Sequence, residues 1–66
     1  MTAFTARELH REASREVGYR RRVYLRMVVE GRMKGDDADR RIAMMEEIAA
    51  KLAEEAEVEE ARGRLL

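Results

Sequence analysis

From Ala38 onward one pattern repeats: Ala38, Ile42, Met45, Ala49, Leu52 and Ala56 follow one another at alternating steps of four and three. Residues at those steps share one side of an α-helix, forming the heptad seam of a helix that packs lengthwise against another. Met44 and Ile48 widen that stripe. Glu47–Lys51 and Lys51–Glu55 are opposite charges four residues apart, an arrangement that supports the solvent side of a helix. A chain built around this segment has to supply a second helical stripe, from itself or from elsewhere.

The first half supplies one. Thr5 and Glu8 have the spacing of a capping box, in which the hydroxyl and the carboxylate satisfy each other's backbone N–H groups. Phe4 and Leu9 stand where a hydrophobic staple belongs. From there Leu9, Ala13, Val17, Tyr24 and Met27 with Val28 mark an apolar stripe at helical spacing. Gly18 falls off the stripe, so one continuous helix to about Glu30 is expected, with a break near Gly18 as the alternative. Gly31 suits a left-handed helix end.

The link Gly31-Arg32-Met33-Lys34-Gly35-Asp36-Asp37 is short, and Lys34 or Asp36 can cap the next helix, with Asp37 and Asp39 favoured near its positive end. A short link makes the two helices antiparallel neighbours. The expected fold is therefore all-α: an antiparallel two-helix hairpin in a single domain, residues 1–66, with helices over about 5–30 and 37–62 and a turn over 31–36. Folding at about residue 33 puts Val28 near Ala38 and Ile42, Tyr24 near Met45, Val17 near Leu52, and Ala13 near Ala56. Gly63 is the expected terminator, leaving Leu65 and Leu66 to fold back or meet a partner.

One line of contacts is a thin core for 66 residues. Burial returns about 25 cal/mol per Å² of apolar surface, and ordering each residue opposes it by roughly 1.5 kcal/mol. Small chains usually compensate with disulfides, a metal or oligomerisation. With no Cys and only His10 as an imidazole, the first two routes are closed and a reducing compartment is favoured. The apolar surplus shows where the third begins. Val23, Tyr24, Leu25, Met27, Val28 and Val29 make the end of the first helix apolar almost all round, which implies burial on more than one side. A two-fold dimer forming a four-helix bundle is expected, its interface drawn from Val23, Tyr24, Leu25, Met27, Val28, Met44, Met45 and Ile48. A hetero-complex is the competing outcome, and Met-rich surfaces suit either.

Net charge is zero but unevenly placed. Residues 1–34 hold nine Arg and Lys against four Glu, and residues 35–66 hold five against ten acids, a balance of +5 facing −5. Antiparallel helices with those charges attract along their flanks. A basic ridge is the other use for the surplus: Arg7, Arg11, Arg15, Arg22 and Arg26 project within about a right angle of one another on the polar side of the first helix, flanked by Arg20 and Arg21, and of these Arg15, Arg20, Arg21, Arg22 and Arg26 are the expected contacts to a phosphate backbone or an acidic protein. Arg20 to Arg22 lack acids nearby in sequence. Glu8, Glu12 and Glu16 neutralise the rest locally.

No phosphate-binding glycine loop, Cys/His metal spacing or nucleophile elbow occurs in the sequence. Ser14 has no activating partner in sequence, His10 sits at the stripe's edge, and Glu46 and Glu47 point about 100° apart on a helix. The chain is expected to be non-enzymatic and to need no cofactor or metal. No run approaches the roughly 18 apolar residues that span a bilayer, and the first residues show no basic region followed by an apolar one, so a cytoplasmic protein is expected.

The stretch Arg20-Arg21-Arg22-Val23-Tyr24, then Gly31-Arg32-Met33, then Ala38 to Ile48 with its Ala-x-Arg-x-Ile-Ala-x-Met-Glu pattern, resembles a group of short helical proteins encoded by phages and prophages. The resemblance covers about half the chain. Members often carry Pro where this chain has Leu25 or Gly35. The family is functionally uncharacterised, so the resemblance implies phage context, a helical hairpin and a bacterial host's cytoplasm, not an activity. Three functions are then open: a dimeric interaction module, nucleic-acid binding through the arginines, and inhibition of a host defence enzyme such as a CRISPR effector.

Overall fold

The computed structural model describes residues 3–65; Met1, Thr2 and Leu66, the last expected to fold back or meet a partner, lie outside them. Two helices make the fold: α1, Ala6–Val29, and α2, Gly35–Leu65, packed antiparallel along their length. The expected all-α hairpin is what forms.

Both ends of α1 are closed by the groups the sequence places there. The Glu8 N–H donates to the Thr5 hydroxyl at 3.1 Å, and the Thr5 N–H donates to the Glu8 carboxylate at 3.1 Å, completing the capping box. Phe4 and Leu9 line one shallow depression beside it. At the other end Gly31 has φ +75°, the left-handed conformation that glycine adopts without a Cβ penalty. Its N–H reaches the Val28 carbonyl at 3.0 Å and the Arg32 N–H reaches Met27 at 2.8 Å, a Schellman closure. Between these ends α1 runs through Gly18 unbroken.

The second helix starts earlier and ends later than its residue types suggest. The Lys34 carbonyl accepts from the Ala38 N–H at 3.1 Å, so Lys34 takes the cap position and Gly35 is already helical. Asp36 and Asp37 then fall in the first turn, where the dipole favours them. Gly63 does not terminate α2, which continues to Leu65 with Arg62 and Arg64 in a last turn that favours cations.

The buried residues are Ala6, Ala13 and Val17 on α1 and Ala38, Ala49 and Ala56 on α2, with Ala56 only 1% exposed. Alanine at these positions lets two helix backbones approach closely and leaves little room for anything larger. Ala13 and Val17 cluster with Ala49, and Met45 and Leu52 pack against them from the side. Val17 was expected near Leu52, and Leu52 packs against the cluster that holds Val17. Near the loop, Val28 does share a depression with Ala38 and Ile42.

Candidate functional site

The alanine seam divides the hairpin into two faces. On the first, Leu9, Glu12 and Glu16 of α1 stand across a shallow open trough from Met45, Ile48 and Leu52 of α2. Phe4 extends it beyond Leu9. The side chains here are large and poorly covered: Ile48 and Met44 are each 48% exposed.

The second face is cross-linked by charge. The Arg7 guanidinium donates from Nε and Nη2 to both oxygens of Glu60, each at 3.0 Å, a bidentate fork. Hydrogen bonding from Arg7 holds the Glu60 carboxyl below the ordinary carboxylate range, with Arg64 and Arg11 adding to it, and the Arg7 pKa is raised in return. At the adjacent residue, the first of α1, the free Ala6 N–H donates to Glu59 at 3.3 Å. Arg21 bonds Glu46 across the helices. Leu25, 65% exposed, lies on this face with Val28, Asp39 and Ile42.

The expected interface residues are therefore brought together only in part. Met44, Met45 and Ile48 belong to the first face and Leu25 to the second; Val23, Tyr24, Met27 and Val28 are half-buried at the loop end of the seam. None is fully covered. Sequence inspection missed Leu9 and Leu52 as open-face residues and Ala6 as a seam residue. The signal was present: Ala6, His10, Ala13 and Val17 keep the four-three step, while Leu9 stands one position aside.

The arginines do not converge. Consecutive helical residues point about 100° apart, so Arg20, Arg21 and Arg22 face three directions. Arg20 lies over the Tyr24 ring at 6.0 Å, donates to Glu16 at 3.0 Å, and reaches across to the Arg41 carbonyl at 2.9 Å. Arg15 pairs with Glu12 at 3.3 Å. Arg20, expected to lack acids nearby in sequence, pairs one turn back with Glu16, and only Arg21 finds its acid, Glu46, on the other helix. Among the described residues, Arg22 and Arg26 alone of the five have no hydrogen bond or ion pair.

The Ser14 hydroxyl and His10 Nε2 lie 3.3 Å apart on exposed helix surface, one turn from each other. Among the described residues no third group hydrogen-bonds the imidazole to orient it as an acyl-transfer site would require. Among the described residues no cluster of His, Cys, Asp or Glu has the geometry to hold a metal ion, and no helix is long and apolar enough to cross a membrane. No protein-family model, curated protein or solved structure matches the chain.

Proposed function

We propose that this chain is a non-enzymatic helical interaction module, of the phage accessory type it resembles, that completes its core by pairing with a second copy of itself. The observation that carries this is the composition of the core: among the described residues nothing larger than Val17 is buried, and every Leu, Ile, Met, Phe and Tyr keeps an exposed side. Large apolar side chains supply most of a core's stabilisation, about 1.5–3 kcal/mol each when fully covered. Here that surface faces outward.

Two bulk quantities support the same reading. The chain exposes 5553 Å², whereas a compact monomer of 7.7 kDa exposes about 4300 Å². Its radius of gyration is 15.3 Å, against roughly 11 Å for a compact domain of this length. A four-helix bundle removes both excesses. The internal pairing of Arg15, Arg20 and Arg21 weighs against a dedicated phosphate-binding ridge.

Sedimentation equilibrium of the full chain tests the proposal. A mass twice that of one chain is expected at micromolar concentration; a folded helical monomer there overturns it.

A further inference from the structure

We infer that the second copy docks on the Leu9–Ile48–Leu52 face in antiparallel orientation, about a two-fold axis passing beside Ile48, so that each helix packs on its own counterpart. This rests on the dimer reading and adds to it a face, an orientation and a register.

The inference comes from a near-palindrome on α2. Arg41, Met44, Ile48, Leu52 and Glu55 form one ridge at steps of three, four, four and three, spanning ~21 Å. Its centre is apolar and its two ends carry opposite charge. Turned end for end about Ile48, the ridge sets Leu52 against Met44 of the copy and Glu55 against Arg41. A two-fold interface has to be self-complementary in this way, and each contact then occurs twice. The side chains of Arg41 and Glu55 have no hydrogen bond or ion pair among the described residues, so both are available.

The same rotation suits α1. Val17 clusters with Ala49, so Ile48 lies level with about residue 18 of α1. Reversal about that level puts Leu9 against Met27 of the copy. It also lays the Glu16–Arg20 pair over its own reverse, acid on base, making four alternating charges. A parallel dimer, with its axis along the hairpin, sets α1 on α2 instead. That brings Glu12 toward Glu55 and Arg20 toward Arg41, like on like, which is unfavourable.

Area permits the arrangement. The hairpin measures 53 × 17 × 17 Å, so one long face can provide the roughly 800 Å² per partner that stable complexes bury. The opposite face is the poorer candidate, since Arg7, Glu60, Arg21 and Glu46 already satisfy one another there.

Charge exchange on the full chain tests orientation, read by sedimentation velocity. Arg41→Glu alone and Glu55→Arg alone should each weaken self-association roughly tenfold, because two symmetric attractions become repulsions. An equimolar mixture of the two variants should regain wild-type affinity, as should the doubly substituted chain. Single variants that associate more tightly would show a parallel dimer and overturn the inference, as would a mixture no better than its components. A second measurement tests the face. The chain has no native Cys, so Ile48→Cys should oxidise to a cross-linked dimer while Leu25→Cys does not in the same time. The reverse result moves the interface to the other face and leaves the dimer reading standing. A wild-type monomer removes both.

Discussion

On one side of the alanine seam, Arg7 and Arg21 reach across to Glu60 and Glu46. On the other, Arg20 pairs with Glu16 of its own helix and meets α2 at a backbone carbonyl, and Leu9, Ile48 and Leu52 stand along an open trough. The two faces belong to the same pair of helices and differ in what completes them. Ion pairs between exposed side chains close within the chain because each partner is already present on the facing helix. Large apolar groups cannot, because the seam between them is lined with alanine and the backbones are too close to admit their tips. A two-helix protein can finish its polar contacts alone more easily than its apolar ones.

Enlarging the seam breaks this comparison most severely. Ala56→Leu introduces volume where the native residue is 1% exposed, and should cost about 1–3 kcal/mol as the helices part. Urea denaturation followed by circular dichroism should show the lower midpoint; an unchanged midpoint would mean the seam is looser than its burial indicates. Next in size is a paired test of the faces. Ile48→Asp should abolish self-association at micromolar concentration, whereas Leu25→Asp should leave it within about threefold of wild type, since Leu25 lies on the opposite face. Light scattering on both variants reads the difference directly, and equal effects would erase the distinction.

Smaller effects belong to the charged face. Arg21→Ala should cost only a few tenths of a kcal/mol in the same urea assay, the usual worth of an exposed pair. Smallest is acid titration of the Arg7–Glu60 fork. The Glu60 pKa is lowered in the folded chain, chiefly by the hydrogen bond from Arg7, so its contribution is complete above the ordinary carboxylate range, about pH 4, and is lost as pH falls through the lowered value. Glu60→Gln should flatten that part of the stability profile. A profile identical to wild type would show that the fork adds nothing.

The parts of the fold legible in sequence were those decided within one helical turn or one repeat. The capping box at Thr5, the left-handed Gly31 and the three alanines of the α2 seam, Ala38, Ala49 and Ala56, all depend on spacing alone. What escaped depends on the second helix. Leu9 is the more hydrophobic neighbour of Ala6, and hydrophobicity by itself selects it for the core. Close backbone approach selects alanine instead, and that approach is a property of the pair. Likewise Glu46 is 25 residues from Arg21, and only the register set by the link brings them together. The division of Leu25 from Ile48 was hidden for the same reason: a stripe's width can be read from one helix, but its sides are named by the other.

The alanine seam has a consequence for sliding. Ala6 and Ala13 lie seven apart, as do Ala49 and Ala56, so shifting one helix past the other by a heptad returns alanine to alanine. Along those two alanine pairs the groove by itself does little to fix its phase. Uniqueness of alignment must come from elsewhere: from the tight Gly31 reversal, which sets the length of the tether, and from the two cross-helix ion pairs, which act as alignment pins more than as cement. Loosening the tether should cost this protein its single alignment well before it costs its helices.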